Sequence, residues 1–161
     1  MADAAVQLVK AYTEKGLTLG TAESLTGGMI AAEVASVSGA SAVLMGGVVA
    51  YDPRVKHEVL GVDQNVIDRD GVVSAACALQ MAQGAKRVLG VDTAVSATGI
   101  AGPSGGTPET PVGTVFIGCA GPEGTRVDEC HFTGDRQQIR RQAAQHALVM
   151  ALEAAGETMT E

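Results

Sequence analysis

Segments with helical periodicity alternate along the chain with short apolar runs that are typical of β-strands. The predicted helices lie within residues 5–12, 30–37, 53–60, 74–89 and 136–154. The predicted strands cover residues 17–22, 43–51, 93–98, 112–120 and 125–132. The turn Gly121-Pro122-Glu123-Gly124 between the last two strands predicts an antiparallel hairpin. This order predicts an α/β domain with three αβα layers and a mixed sheet of about five strands.

The run Val43–Tyr51 is almost continuously apolar, which predicts a central strand covered on both faces. Asp52 and Pro53, which follow it, suit the N-cap and the first position of a short helix that carries Lys56. Tyr51 at the strand end and Lys56 on the next helical turn would then face one site. Ligands of such sheets bind beyond the strand ends.

The composition indicates a single domain over residues 1–161 and excludes several functions. With 161 residues and 46% hydrophobic content, the chain can bury one core. The formal charge of −7 and the aromatic content of 2% argue against a nucleic-acid partner and against base stacking. Any phosphate should therefore be a small one that is held in a local pocket.

Three cysteines without CxxC spacing indicate a reducing compartment and no disulfide framework or zinc site. No paired-acid or His-rich spacing suggests another metal. The N-terminal residues lack the features of a secretory signal. The uncharged stretch 34–51 is interrupted by serines and glycines, so we expect no membrane span and a cytoplasmic location.

Ser24 lies in a polar, glycine-containing turn between a predicted strand and a helix. Such a turn exposes a hydroxyl group, and the backbone N–H groups of Gly27 and Gly28 could form an oxyanion hole beside it. The alternative is that Ser24 or Thr26 only caps the helix.

A serine nucleophile needs a base, and none of the three histidines lies in a triad motif. Lys56 is the better candidate, because a partly buried lysine loses its charge and can then accept the hydroxyl proton. The alternative is a solvated lysine on a helix surface.

The segment 99–111 contains four glycines and three prolines in thirteen residues, which is typical of a functional loop. It has neither the phosphate-loop nor the dinucleotide-binding spacing. Its amides could form a nest for an anion. Hydroxyl groups nearby belong to Thr98, Ser104 and Thr107. The charge could come from Arg136, Arg140 and Arg141, and the alternatives are a structural loop and an exposed basic helix face.

Five segments together resemble the C-terminal domain of CinA-type competence/damage-inducible proteins. They are TAESLTGG (21–28), GGVVAYDPRVKHEVLGV (46–62), GVVSAACALQMA (71–82), SATGIAGPSGGTPETPVGTVFIG (96–118) and HFTGDRQQIRRQAA (131–144). The resemblance covers nearly the whole chain in order. That domain also occurs alone as a bacterial nicotinamide mononucleotide amidohydrolase, without the family's molybdopterin-binding-like domain.

The resemblance implies hydrolysis of nicotinamide mononucleotide to nicotinate mononucleotide and ammonia, with no metal or cofactor. It makes Ser24 the nucleophile, Lys56 its proton acceptor and Tyr51 a hydrogen-bonding partner. Glu23 could pair with the pyridinium ring. The residues that it assigns to substrate binding are Thr26, Gly27, Gly28, Thr98, Gly99, Gly102, Gly105, Gly106 and either Arg136 or Arg140. Related domains form dimers, so we expect a homodimer or a higher homo-oligomer.

The chain differs from the family pattern at two positions. Leu25 replaces a cysteine after the serine, and Thr110 replaces a lysine of the glycine loop. These differences keep open a catalytically silent module that binds a nucleotide or another protein. A nucleotide pyrophosphatase is a third possibility, although the chain lacks the carboxylate clusters that would hold magnesium.

Overall fold

A computed structural model of the chain describes residues 3–161 as six α-helices and five β-strands. The helices are α1 (Ala4–Lys15), α2 (Met29–Ala35), α3 (Pro53–Glu58), α4 (Gln64–Asp70), α5 (Ala75–Leu89) and α6 (Arg136–Ala154). The strands are β1 (Leu19–Glu23), β2 (Leu44–Val49), β3 (Thr93–Gly99), β4 (Thr114–Gly121) and β5 (Gly124–His131). The predicted strands are all present, with ends that shift by at most two residues.

The strands form one mixed sheet in the order β2-β1-β3-β4-β5. The first three strands are parallel, and β4 and β5 add as antiparallel neighbours, which confirms the predicted hairpin. The prediction for Val43–Tyr51 was wrong in one respect: β2 is an edge strand whose residues are alternately half-buried and exposed. The central positions belong to β1 and β3, which are almost entirely buried.

Helices cover both faces of the sheet and complete the predicted αβα layers. One core lies between the sheet and the helices α1, α2 and α6, and it includes Leu8, Ile30 and Leu148. The other lies under α5 and the α3–α4 segment, and it includes Leu60 and Met81. Small residues allow the layers to approach closely, which is why the core needs few aromatic side chains.

The two-turn helix α4 was absent from the sequence prediction. The Asp63 side chain accepts a hydrogen bond from the Asn65 N–H and caps the helix, but only Val66 of the helix is buried. A polar helix with so short an apolar stripe gives almost no periodic signal. Among the described residues, no helix combines the length and the apolar character needed to cross a membrane.

The parallel strands end at one edge of the sheet and place three loops together there. Ser24 follows β1, Tyr51 follows β2, and the glycine-rich loop follows β3. The chain leaves β1 towards β2 through α2 and later reaches β3 on the other side of β1. Such a change of direction opens a crevice beyond the carboxyl ends of the strands.

Candidate active site

Ser24 is held at the carboxyl end of β1 by backbone pairing that continues beyond the strand. Its N–H donates to the Ala97 carbonyl of β3 at 2.9 Å, and on the other side the Ala50 N–H donates to the Glu23 carbonyl at 2.8 Å. The residue is only 9% exposed. The serine is therefore fixed in the crevice between three strand ends.

Lys56 reaches Ser24 from the short helix α3. Asp52 caps this helix by accepting from the Arg54 N–H, and Pro53 occupies its first turn, as predicted. Lys56 is 1% exposed, and its Nζ lies 2.9 Å from Ser24 Oγ. The alternative of a solvated surface lysine is therefore wrong.

Two backbone carbonyl groups complete the surroundings of the Lys56 amine. Nζ donates to the carbonyl oxygens of Ala50 at 2.7 Å and Tyr51 at 3.0 Å. Burial lowers the pKa of Lys56, because the charged form loses its hydration. A neutral amine has two hydrogens and one lone pair. With both hydrogens on the carbonyls, the lone pair is directed at the Ser24 hydroxyl, which is the arrangement of a general base.

Neither Ser24 nor Thr26 caps helix α2, so that alternative is also wrong. The buried Glu23 carboxylate has this role: Oε1 accepts from the Ile30 N–H at 2.8 Å and Oε2 accepts from the Ala31 N–H at 3.0 Å. A carboxylate is favourable at a helix N-terminus. Glu23 is 1% exposed and is engaged in this way, so it is not placed to pair with a bound ring.

The turn after Ser24 contains backbone N–H groups that the fold itself leaves free. The Gly27 N–H donates to the Ser24 carbonyl at 3.0 Å and is therefore not available to a ligand. Within residues 3–161, the N–H groups of Leu25, Thr26 and Gly28 donate no hydrogen bond. Leu25 also lines the crevice, whereas Thr26 and Gly28 do not. The oxyanion donors therefore stay a prediction, from which the Gly27 N–H is removed.

The glycine-rich loop forms one wall of the crevice. Gly99, Gly102 and Gly105 line it, whereas Gly106 packs against Val112 at the rear of the loop. The hydroxyl group of Thr98 also lies at the wall, but it donates to the Val72 carbonyl at 2.7 Å and so ties the loop to the segment before α5.

The structure separates the two arginines that the sequence left undecided. Arg136 lines the crevice and donates from Nη1 to the Gly102 carbonyl and from Nη2 to Tyr51 Oη. Arg140 lies outside the crevice wall and donates to the carbonyls of Leu25 and Thr26. Of the two, only Arg136 therefore lines the crevice.

The crevice has a volume of about 270 Å³. A cleft of about 330 Å³ also lies at the β4–β5 hairpin, beside Cys119 and the Arg126–Glu153 ion pair. Burial raises the pKa of the Cys119 thiol to about 11, so that cleft holds no thiolate nucleophile at neutral pH. Within the described part of the chain, no group of three or more His, Cys, Asp or Glu side chains could hold a metal ion.

Comparison with known proteins agrees with the architecture and the motifs. The family model for the CinA C-terminal domain matches residues 1–155. The chain belongs to the CinA C-terminal domain family. A CinA-like protein of Anaeromyxobacter dehalogenans is 49% identical over 141 residues, which are 88% of this chain and 35% of that protein. A CinA-like protein of Thermotoga maritima is 47% identical over 148 residues, which are 92% of this chain and 35% of that protein.

Solved structures of the CinA superfamily have the same fold. The competence/damage inducible protein CihA from Agrobacterium tumefaciens is 37% identical with a TM-score of 0.92, covering 94% of this chain and 93% of that one. A CinA superfamily protein from Klebsiella pneumoniae is 31% identical with a TM-score of 0.91, covering 95% and 96%. This CinA-family chain spans about a third of the length of the curated relatives named above, 35% of each.

The CinA-family site contains several residues that the sequence reasoning did not select. Val72, Val73, Ile100 and Ala101 line the crevice and supply its apolar surface. Ile100 and Ala101 lie within the loop that was singled out, but only the glycines and the hydroxyl residues of that loop were chosen. Nothing in the sequence besides the family resemblance of residues 71–82 pointed to the two valines, because a segment before a helix has no chemical pattern.

Proposed function

We propose that this chain is an amidohydrolase that converts nicotinamide mononucleotide to nicotinate mononucleotide and ammonia. The observation that carries the proposal is the contact of Lys56 Nζ with Ser24 Oγ at 2.9 Å, with two backbone carbonyls accepting both hydrogens of the neutral amine. The substrate is inferred from the resemblance of the motifs to the stand-alone members of the family.

In the proposed reaction, Ser24 Oγ attacks the carboxamide carbon while its proton moves to Lys56 Nζ. The oxyanion of the tetrahedral intermediate accepts hydrogen bonds from free amides of the turn, among them that of Thr26. The Lys56 ammonium then protonates the leaving nitrogen, and ammonia departs from an ester of Ser24. Water attacks this ester while Lys56 takes one of its protons. Lys56 returns that proton to Ser24 Oγ as the ester bond breaks, and the acid product leaves as a carboxylate after losing its own proton to solvent.

The crevice suits a nucleotide that binds with its pyridine ring beside Ser24 and its phosphate at Arg136. Val72, Val73 and Ile100 provide apolar surface for a flat ring beside the nucleophile. Arg136 is exposed at the wall and can place a guanidinium group against the phosphate. Tyr51 is 59% exposed, and its hydroxyl group already accepts from Arg136, so it would help to orient that arginine.

The first test compares the wild type, Ser24→Ala and the control Ser41→Ala with nicotinamide mononucleotide, without added metal. Ser41 is an exposed serine remote from the crevice. Ammonia and nicotinate mononucleotide are measured together. We expect both products from the wild type and from Ser41→Ala, and neither from Ser24→Ala. Equal release by Ser24→Ala would contradict the assignment of the nucleophile.

A catalytically silent nucleotide-binding module is the second candidate. Leu25 favours it, because this bulky side chain lines the crevice next to Ser24, where the family pattern has a cysteine. Calorimetric titration of the wild type with nicotinamide mononucleotide separates the two candidates. Binding without release of ammonia would support the silent module and refute the amidohydrolase.

A further inference from the structure

Arg140 binds the turn that carries the nucleophile, and it does so from a different element. The residue lies in the first turns of α6, while the turn follows β1. Its Nε donates to the Leu25 carbonyl at 2.8 Å, and its Nη2 donates to the Thr26 carbonyl at 3.1 Å. Nη1 donates to Gln137 Oε1 at 2.7 Å, which orients the guanidinium group. Two consecutive carbonyls are thus held by one planar cation.

This contact determines the direction of an amide. The Leu25 carbonyl and the Thr26 N–H belong to the same peptide group, which is trans. In a trans peptide the C=O and the N–H point in opposite directions. Fixing the Leu25 carbonyl on Arg140 therefore directs the Thr26 N–H away from α6. That N–H has no partner among the described residues.

The neighbouring peptide group is fixed by the backbone alone. The Ser24 carbonyl accepts from the Gly27 N–H at 3.0 Å, so the Leu25 N–H, which shares its peptide plane, also points out of the turn. Without Arg140, the Leu25–Thr26 peptide would have no such restraint. Its carbonyl has no other hydrogen-bond donor in the part of the chain that the structure describes.

The positive charge also strengthens the donor. A hydrogen bond from a cation to a carbonyl polarises the whole peptide group and makes its N–H a better donor. Arg140 is only partly buried, but its guanidinium group lies close to the turn: a Cβ on Gly27 would be 3.5 Å from Nη2. The arginine thus acts on the peptide without lining the crevice.

We propose that Arg140 is a positioning residue that orients and polarises the Leu25–Thr26 peptide, so that the Thr26 N–H stabilises the oxyanion. The inference rests on the proposed acyl transfer at Ser24. It differs from a phosphate-binding role, in which Arg140 would contact the substrate itself. A positioning role affects kcat, whereas a role in binding the substrate's phosphate affects KM.

The test measures kcat and KM for nicotinamide mononucleotide with wild type, Arg140→Ala, Arg140→Lys and the control Arg141→Ala. Arg141, which the sequence also offered as a source of charge, is an exposed neighbour that lies outside the crevice and makes no hydrogen bond to the turn. We expect kcat of Arg140→Ala to fall about 10²-fold, as on loss of one oxyanion donor, with KM changed less than about threefold. Arg140→Lys should lose about tenfold, since an ammonium lacks the planar fork that spans two carbonyls. Arg141→Ala should match the wild type.

Chemical rescue by added guanidinium ion distinguishes a positioning role of Arg140 from a merely structural one, because a structural defect would not be repaired by the free ion. Millimolar guanidinium should restore part of kcat to Arg140→Ala, at a temperature below the Tm of that variant. An unchanged kcat with a raised KM would overturn the inference in favour of phosphate binding, and an unchanged kcat and KM would overturn it outright. A lowered kcat that guanidinium does not restore, together with full activity of Arg140→Lys, would also refute it. Absence of ammonia with the wild type would instead refute the proposed function, and the inference with it.

Discussion

Gly84 lies inside α5 against the backbone of Leu60, where a side chain has no room. A Cβ built on Gly84 would overlap the Leu60 carbonyl oxygen and lie 2.8 Å from its carbonyl carbon, against 3.4–4 Å for ordinary contact. The obstacle is backbone and cannot rotate away as a flexible side chain would. Gly84→Ala must therefore separate α5 from the Leu60 segment by roughly 1 Å.

Two effects of opposite sign determine the stability of Gly84→Ala. Helix propensity alone favours alanine over glycine by about 1 kcal/mol. Overpacking a close backbone contact costs about 3 kcal/mol, at the upper end of its usual range, since both partners are held by their own hydrogen bonds. The net loss is about 2 kcal/mol, which lowers the Tm of a domain of this size by about 4–8 °C.

The same substitution should affect the candidate site. The Leu60 segment continues from α3, and the Val62 N–H donates to the Lys56 carbonyl at 3.0 Å. A displacement there moves Lys56 Nζ relative to Ser24 Oγ. A misplacement of about 1 Å can reduce a rate by about 10²-fold, so we expect kcat to fall by about 10- to 100-fold.

Thermal unfolding followed by calorimetry, with kcat measured below the transition, tests both expectations. Gln83→Ala is the control, because Gln83 is the exposed neighbour of Gly84 in the same helix. A Tm above that of the wild type for Gly84→Ala would show that propensity outweighs the contact and would refute this reasoning.

Three further predictions concern Ser24, Lys56 and Glu23, the buried polar residues of the candidate site. Ser24→Ala and Lys56→Met should each lower the single-turnover rate by about 10³-fold, and the double variant should lose no more, since the two residues act as one unit; additive losses would contradict the pairing. Burial lowers the pKa of Lys56 from 10.5, and the neutral amine is the base, so kcat/KM should rise with pH and level off below pH 10.5. Between the lowered pKa of Lys56 in the folded protein and the value of 10.5, the unfolded chain binds more protons than the folded protein, so this group makes the free energy of unfolding rise with pH. A kcat/KM that falls as the pH rises through this window would contradict the assignment of Lys56 as the base. Glu23→Gln replaces one of two acceptor oxygens with a donor that faces a helix N–H, and should lower the free energy of unfolding by about 1–3 kcal/mol in urea titrations; an unchanged midpoint would contradict the capping role.

Much of this chain could be predicted from local signals. The pair Asp52-Pro53 predicts a helix start from two adjacent residues, whatever the rest of the chain does. The turn at residues 121–124 predicts the hairpin in the same way, because it joins two strands of equal length. Ser24 and Lys56 could be proposed as partners because a glycine-containing turn and a strand end are both recognisable in the sequence. These features depend on residues only a few positions apart.

Other features depended on neighbours that are distant in sequence. The apolar run 43–51 looked central, but β2 lies at the sheet edge, since strand order follows from how the helices cross over the sheet. The cap of α2 comes from Glu23, seven residues before the Ile30 N–H, because the chain reverses direction in between. The place of each arginine depended on how α6 packs beside the turn after β1.

The sequence by itself determined the αβα class, the number of strands and the residue types that could carry the chemistry, because periodicity, capping and turn residues act locally. Only the tertiary structure decided that Lys56 is buried against Ser24 and that Arg140 holds the turn while Arg136 faces the crevice. The physical reason is that burial and hydrogen-bond geometry arise from contacts between segments 32 and 115 residues apart, as for Lys56 with Ser24 and Arg140 with Leu25. No local pattern specifies such contacts before the layers pack together.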